Sequence, residues 1–472
     1  MCQGAGKPRL VTRATAGFVE FALASREAAF PAKARAMAID ATTDLLGCMV
    51  AGAGEHLASM LGALVFDVPA NQGAPLAIAG RHASPQDSAL YNGALAHAID
   101  YDDVTHPAYA HPGASIVPTI LATAHFERVS GAEALSAYIV GIEMVSKLGR
   151  TLNTAHYKNG WHASATFGTM GAAATAAAML RLDADAFART LALAASAASG
   201  LRANFGTMTK PLHVGYAARN AVLAALMARE GVTANPEILE HPYGFAEVFN
   251  HHDGIDWEQF ETWGDPLEIL TEFGLGLKPY PACGAAHPPI ESAIRLRERI
   301  VGGVENIRDI RIGVTEMHFE PMIYDTASTG LEAKFCMGYC IAAALLDGDV
   351  TLKTFEDGEV PRINASGIGE KVRMELDDRV KGNTEFGAVV TITTKSGDML
   401  EEIVPLAVGK PERWFPKEKL RSKFDDCCRG IIDDAQASEI YELAQSIEQT
   451  VDLSALTNAV GRRSELVDTS PR

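Results

Sequence analysis

The sequence predicts a mainly α-helical protein with an α+β insertion. From about residue 15 to 270 the apolar residues recur at helical spacing. Near residue 275 the pattern changes, with the alternation of a strand at 307–317, and beyond about 406 the helical spacing returns. A chain of 472 residues is too long for one simple core, so two domains are expected. The simplest layout is a helical domain interrupted by an α+β unit over about 275–405, with the last helices rejoining the first.

Five segments carry the helical prediction in the first half of the chain. Several are built from Ala, Gly and Ser on nearly every face, which permits close approach of neighbouring helices and indicates buried central helices. For any single segment the alternative stays open that alanine only raises helix propensity. The segments are 32–53, 131–152, 167–182, 191–201 and 220–231.

The α+β unit is predicted from three strand patterns. Ile310, Ile312 and Val314 alternate with polar neighbours within 307–317, which is the period of a half-buried strand. The segment 387–406 reads as two strands around a Lys-Ser-Gly-Asp turn. A further strand at 372–380, a helix at 332–348 and two closing helices at 421–432 and 437–449 complete the prediction.

Composition and charge exclude some classes of function. Hydrophobic residues make up 47% of the chain and charged residues 21%, as in an ordinary globular protein. The formal net charge of −18 argues against a nucleic-acid partner, because no basic stripe is available to neutralise phosphates. A small anionic substrate remains compatible, since a local cationic pocket can exist inside an acidic protein.

A cytoplasmic location is predicted from two further features. Glu20 interrupts the only candidate apolar region of a signal peptide, and no stretch of about 18 charge-free apolar residues predicts a membrane span. The seven cysteines are scattered and odd in number, without paired CxxC sites, which is typical of a reduced protein.

One short segment, HAIDYDDVTHPAYAHP at 97–112, concentrates three histidines and three aspartates. The helix before it places Asp100 at its C-terminal end, and His106 and His111 each precede proline, which favours extended backbone. We expect Ser115 to cap the next helix. Three interpretations remain open: a metal site, an acid–base centre or an ordinary polar loop. No spacing matches a familiar motif such as HExxH, so no metal is predicted.

Three other stretches add candidate groups. His162 lies just before an Ala-rich helix, and Lys210 and Lys278 each precede a proline in a predicted loop. Each lysine alone is as well explained by a solvated side chain. Together, cationic lysines suit carboxylate ligands and histidine with aspartate supplies proton transfer. Cys283 follows Lys278, but no thiol-protease signature surrounds it, and a buried thiol is the simpler interpretation.

These residues, read together, resemble the MmgE/PrpD family. The resemblance is carried by NGALAHAIDYDD followed by HP, by NFGTMTKPLHVGYAARN, by KPYPACGAAHP and by AKFCMGYCIAAALLDG, and it covers nearly the whole chain. The family includes 2-methylcitrate dehydratase, cis-aconitate decarboxylase and iminodisuccinate epimerase. The blocks TKPLHxGxAARN and KxYPxC are specific in combination.

The resemblance implies a fold, an assembly and a set of site residues. It implies a large all-helical domain, residues 1–272 and 406–472, with a smaller α+β lid domain, residues 273–405. It also implies a homodimer, no required metal or organic cofactor and a small di- or tricarboxylate substrate. The implied catalytic residues are Asp100, His111, His162, Lys210 and Lys278, and the substrate-binding residues are His106, Lys210, Lys278, Tyr324 and Cys283.

The expected chemistry is proton transfer next to a carboxylate. His111 or His162 would act as the base, Asp100 would orient a histidine, and the lysines would stabilise developing negative charge. We favour dehydration of a methylcitrate-like hydroxy acid, with epimerisation or decarboxylation as alternatives. Val104 stands where the family often has threonine, and the spacing to His111 is longer than in the decarboxylase pattern. A non-catalytic carboxylate-binding protein is the alternative from another class.

Overall fold

The computed structural model of the protein describes residues 13–26, 29–250, 254–380 and 387–467. The first part of the segment assessed for a signal peptide lies outside these ranges. No single helix among them is long and apolar enough to cross a membrane, although α2 (Ala32–Gly52) and α3 (His56–Gly62), bent by 81°, meet the length and composition criteria as a pair.

Helices dominate the part of the chain before residue 272, as the apolar spacing predicts. Short two-stranded ladders join β1 to β2 and β3 to β4. The strands are β1 (Ala74–Leu76), β2 (Arg81–Ala83), β3 (Val104–Thr105) and β4 (Leu275–Gly276). The remaining helices are α1 (Ala14–Ala24), α4 (Pro85–Ala98), α5 (Gly113–Thr123), α6 (Gly131–Leu152), α7 (Ala155–Lys158), α8 (Ala163–Met179), α9 (Ala184–Ala195), α10 (Thr209–Arg229) and α11 (Phe245–Phe249).

The helix boundaries match the prediction best where caps are encoded locally. Helix α6 spans Gly131–Leu152 as predicted, since Ser130 and Glu133 form a reciprocal capping box at its start. Helix α10 begins at Thr209, well before the predicted 220, because Pro211 falls in its first turn, where proline is tolerated. The prediction that Lys210 lies in a loop is therefore wrong, because Lys210 is in the first turn of α10.

Close approach of small residues holds the central helices together. A Cβ added to Gly171 of α8 would lie 2.9 Å from the carbonyl oxygen of Gly141 in α6, and one on Gly215 of α10 would lie 2.5 Å from that of Leu90 in α4. Only glycine permits such backbone approach. Almost every residue of α8 is buried, which confirms the prediction of buried central helices.

The predicted strands form one four-stranded sheet in the order β6-β5-β7-β8. Strand β5 pairs in parallel with β6 and antiparallel with β7, and β7 and β8 form the predicted hairpin. The helix predicted at 332–348 is broken at Cys336 into two helices. The elements of this part are β5 (Ile307–Val314), β6 (Val372–Leu376), β7 (Ala388–Thr394), β8 (Met399–Val404), α12 (His287–Arg297), α13 (Gly330–Ala333), α14 (Met337–Asp347) and α15 (Val360–Asn364).

Two large hydrophobic cores accompany these two parts. One joins the first helices to Phe415 and the closing helices, and the other lies between Tyr280 and Ile392. The closing helices are α16 (Lys417–Cys428), α17 (Asp434–Gln445) and α18 (Ser454–Gly461). The mainly helical class with a small α+β part is thus observed, while the domain boundaries 1–272, 273–405 and 406–472 stay a prediction.

Candidate active site

The loop after α4 is shaped by Asp100 and Asp103. Asp100 adopts a φ of 55°, a left-handed conformation that aspartate tolerates better than most residues, and this turns the chain at the helix end. Asp103 accepts hydrogen bonds from the backbone N–H of Gly113, 2.9 Å, and from the Tyr138 hydroxyl, 2.9 Å. Asp103 thereby accepts from the free backbone N–H of Gly113, the first residue of α5. Ser115, the expected cap, instead donates to the carbonyl of Gly168.

Two lysines from distant segments meet at the Asp100 carboxylate. Lys210 Nζ lies 3.0 Å and Lys278 Nζ 2.8 Å from Asp100 Oδ1, and Lys278 Nζ also donates to the Asp100 carbonyl oxygen at 2.9 Å. Burial alone would raise the pKa of Asp100, but the two ammonium groups outweigh it and hold the pKa well below its usual range. Asp100 is therefore an ionised carboxylate shared between both lysines.

A second hydrogen-bonded chain runs from Asp102 through His97 to Lys210. His97 Nδ1 lies 2.8 Å from Asp102 Oδ2, and Lys210 Nζ lies 2.9 Å from His97 Nε2. Since an ammonium only donates, His97 must accept at Nε2 and carry its proton at Nδ1. Burial, with the Lys210 charge, lowers the pKa of His97 to about 4 despite Asp102, so the ring is neutral at pH 7.

His111 is the imidazole that faces the cavity between two carboxylates. Its Nδ1 lies 3.4 Å from Asp102 Oδ2, its Nε2 lies 3.7 Å from Asp100 Oδ1, and its side chain is 13% exposed. Burial lowers the pKa of His111, and Asp102 opposes that shift. Asp102 thus lies closer than Asp100 to His111 and also contacts His97, so its position suits the histidine-orienting role that the sequence analysis expects of Asp100.

His162 lies in a different electrostatic environment. Its Nδ1 is 3.1 Å from Nδ1 of His213, and its ring packs edge-on against Phe205. Burial and the nearby Lys210 charge hold the pKa of His162 well below its usual range. Neither His213 nor Phe205 carries a carboxylate that would oppose this shift, so the His162 ring is neutral at pH 7.

The α+β part contributes further buried groups to the same cluster. Lys334 Nζ donates to the carbonyl oxygens of Ile99 and of Pro281, the latter at 3.1 Å, and burial lowers the pKa of Lys334 to about 8.

Beneath the site Lys423 pairs with Asp44 at 2.8 Å and donates to the carbonyl of Lys278 at 3.0 Å. Lys423 therefore braces the segment that carries Lys278.

One cavity of about 60 Å³ brings the predicted residues together. The residues that line it include His111, His162, Asp100, Lys210, His106 and Cys283, and Lys278 lies directly behind Asp100. Tyr324 is not among the lining residues: its hydroxyl donates to the carbonyl of Phe205 at 3.3 Å, and its ring borders a separate open cleft. Burial raises the pKa of the Cys283 thiol, which does not suit a nucleophile.

Four of these residues are also spaced like metal ligands. Single ligand atoms of His97, Asp100, Asp102 and His111 lie within 4.8 Å of one another. Both nitrogens of His97 already have partners, and the Lys210 ammonium lies within 3.0 Å of Asp100 and of His97. A divalent cation here would have to displace that ammonium, so the donor set fits an ion-paired cluster better than a cation site.

Sequence analysis missed the roles of His97, Asp102 and Lys334. His97 and Asp102 lie in the segment that drew attention, but their spacing across the end of α4 gives no sign that they form a pair. Lys334 precedes Phe335 in a stretch that looks like ordinary helix, and its link to Ile99 spans 235 residues. No local pattern signals such a contact.

Comparison with known proteins matches both parts of the chain. Residues 16–258 match the MmgE/PrpD N-terminal domain and residues 280–449 the MmgE/PrpD C-terminal domain. The chain is 27% identical to a cis-aconitate decarboxylase of Mus musculus, over 79% of this chain and 78% of that protein. It is 26% identical to one of Homo sapiens, over 82% of each, and 25% identical to one of Aspergillus terreus, over 80% and 81%.

Proposed function

This chain belongs to the MmgE/PrpD family, and from that premise we propose that it is a lyase that decarboxylates cis-aconitate or a closely similar tricarboxylate. The relatives named above, all cis-aconitate decarboxylases, support decarboxylation over the dehydration that the sequence favours. The single observation that carries the proposal is His111, which faces a cavity between two carboxylates and beside the Lys210 ammonium.

The proposed reaction shifts two electron pairs along the substrate. When the carboxylate on the methylene carbon leaves as CO₂, the broken C–C bond supplies a new C=C bond. The existing double bond shifts its electrons towards the carbon next to another carboxylate, and that carbon takes a proton. The product is a dicarboxylate with a terminal methylene group, and the protein must supply one proton and stabilise one transient negative charge.

We assign the proton to His111 and the charge stabilisation to Lys210. Burial lowers the pKa of His111, but an arriving polyanion would add negative charge beside a ring already flanked by Asp100 and Asp102. Substrate binding would therefore favour the imidazolium that donates the proton. Lys210, buried and fixed at the start of α10, would stabilise the developing enolate-like charge more strongly than it would in water.

Proton NMR in D₂O with cis-aconitate tests the proposal. We expect vinyl signals of the new methylene group and one deuterium on the neighbouring CH₂ group of the product. His111→Asn should slow the appearance of these signals by about 10²- to 10⁴-fold while keeping the thermal unfolding temperature near that of the wild type. If the wild type binds cis-aconitate and leaves it unchanged, the decarboxylase proposal is wrong and a non-catalytic carboxylate-binding protein is the better description.

Dehydration of a methylcitrate-like hydroxy acid is the second candidate. It is favoured by Val104, which separates the paired aspartates from Thr105, and by the longer spacing to His111. A rise in ultraviolet absorbance on incubation with 2-methylcitrate, without CO₂ release, would select it. Exchange of deuterium into iminodisuccinate without net reaction would instead select epimerisation.

The family membership also motivates proposals on assembly. We propose a cytoplasmic homodimer with a helical domain and an α+β lid, working without a metal or an organic cofactor. Sedimentation velocity tests the dimer, and activity after treatment with a chelator tests the independence from metal.

A further inference from the structure

Lys410 differs from the other lysines buried around the site. Its side chain is 4% exposed, and its Nζ has neither a hydrogen-bond nor an ion-pair partner among the residues that the structure describes. Lys278, Lys334 and Lys423 each have a carboxylate or carbonyl oxygen within hydrogen-bond distance of Nζ. A buried ammonium without a partner is costly, and such groups are normally paired.

The fold builds a place for this ammonium. The N–H of Leu277 donates to the carbonyl of Gly409 at 2.8 Å, which fixes the loop before Lys410 beside β4. A Cβ on Gly276 would lie 2.7 Å from Lys410 Cδ and 2.9 Å from Nζ, so the lysine chain crosses β4 where only glycine leaves room. Gly276 in turn pairs with Val104 of the acidic loop.

A small cavity of about 10 Å³ opens in front of Lys410 and adjoins the main cavity. His106 and Gly284 line both cavities, and a Cβ on Gly284 would meet no atom within 4 Å, so the connection is open at that residue. Its size is close to that of one water molecule or one carboxylate oxygen. His287, also on its wall, donates from Nε2 to the carbonyl of Ala282 at 3.0 Å.

Lys410 is the group in the lining of this small cavity that an anion would hold in the charged form. Burial holds the pKa of His106 and of His287 well below the usual range, so both rings are neutral at pH 7. Burial and the Lys278 ammonium lower the pKa of Lys410 to about 7, and an anion at Nζ would oppose that shift. Lys210 and Lys278, by contrast, already share Asp100.

We propose that Lys410 anchors an oxyanion subsite, entered past His106 and Gly284, that takes one carboxylate of the substrate. That the oxyanion is a substrate carboxylate rests on the function proposed above. A tricarboxylate that reaches Lys210 in the main cavity would extend one arm to Lys410. Selection of tricarboxylates over dicarboxylates follows, since only the former would fill both positions.

Binding measured without turnover tests the subsite. Isothermal titration calorimetry would use propane-1,2,3-tricarboxylate, which has no double bond to react, and glutarate and methylsuccinate, which each lack one of its carboxylates. Lys410→Met should weaken binding of the tricarboxylate by about tenfold or more, as expected for a lost charge-assisted hydrogen bond. At least one dicarboxylate should lose less than about threefold, because its missing arm is the one that Lys410 holds.

A matched control and a second variant keep the test decisive. Lys353→Met removes a lysine whose side chain is 74% exposed, and it should leave all three affinities unchanged. Gly284→Val narrows the entrance without touching Lys410, and it should reproduce the loss for the tricarboxylate. If Lys410→Met unfolds the protein, Gly284→Val alone decides.

Several results would overturn the subsite. These are equal loss for all three ligands, no loss for any, or a wild type that does not bind the tricarboxylate. Loss of sulfate binding in Lys410→Met with unchanged tricarboxylate affinity would show a free inorganic anion at Lys410 instead. Because calorimetry needs no reaction, a protein inactive on cis-aconitate can still show the subsite, and an active one can still lack it.

Discussion

The two walls of the cavity handle charge differently. On the helical wall, side chains satisfy one another: Asp100 binds Lys210 and Asp102 binds His97. On the second wall, Lys334 of the α+β part binds backbone carbonyl oxygens, and Lys410, in the segment between β8 and α16 at the neighbouring small cavity, has no hydrogen-bond partner among the described residues. On one wall, contacts between side chains fix the protonation states without a ligand. On the other, an anion bound at Lys410 would supply the missing partner and stabilise the ammonium form.

This difference is also visible within two consecutive residues. Burial favours the neutral acid for both Asp102 and Asp103, yet the pKa of Asp102 is held well below its usual range by His97 and His111. The pKa of Asp103, which contacts Tyr138 and Gly113 and is repelled by Asp102, rises to about 7. Neighbours in sequence thus have pKa values shifted in opposite directions because they face different partners.

The largest effect is expected from Asp100→Asn, which removes the shared carboxylate of the helical wall. Two buried ammonium groups would then face a neutral amide, and breaking a buried ion pair typically costs about 3–5 kcal/mol of stability. We expect a fall in the free energy of unfolding of that size, measured by urea denaturation, together with loss of turnover. Asp426→Asn, at a surface ion pair with Arg429, is the control. Unchanged stability in Asp100→Asn would mean that the two walls do not differ as described.

His111→Asn should remove proton transfer and leave the wall intact. General acid–base catalysis contributes about 10²- to 10⁴-fold, so kcat should fall by that factor. The thermal unfolding temperature should change little, since the side chain reaches the cavity and its close contacts are with the ionised Asp102 and Asp100. If kcat instead fell by that factor in His162→Asn and did not change in His111→Asn, His162 would be the proton donor.

Asp103→Asn should change how stability depends on pH. The folded pKa of about 7 lies above the ordinary aspartate pKa of 3.8, so folding takes up a proton between these values and stability falls as pH rises through that window. One fully taken-up proton corresponds to about 1.4 kcal/mol per pH unit. The unfolding temperature of the variant relative to the wild type should therefore rise from pH 5 to pH 8. A constant difference over that range would contradict the assignment.

The smallest effect is expected from Tyr324→Phe. The hydroxyl donates to the carbonyl of Phe205 and does not line the cavity, so kcat/KM should stay within about threefold of the wild type, roughly the loss of one neutral hydrogen bond. Steady-state kinetics with cis-aconitate checks this. A loss above tenfold would show that Tyr324 contacts the substrate, as the family resemblance implies, although it does not line the cavity in this structure.

Much of the fold could be predicted because its signals are local. The capping box of α6, the hairpin of β7 and β8 and the Gly- and Ala-rich helices each follow from residues close together in the chain. Helix α10 was missed at its start, because the rule against helix before proline loses force in a first turn. Residue type and family resemblance pointed to Asp100, His111, His162 and Lys210, which line one cavity, but not to the pairing of His97 with Asp102.

The sequence by itself determined the helical class, the family and the segments that carry histidine, aspartate and lysine. Only the tertiary structure decided which of them pair: Asp100 meets Lys210 across 110 residues and Lys278 across 178. It also decided that His97 is neutral, that the pKa values of Asp102 and Asp103 shift in opposite directions, and that Lys410 Nζ has no hydrogen-bond partner among the described residues. The reason is physical: desolvation and Coulomb energies depend on burial and on distances in space, which spacing along the chain does not encode.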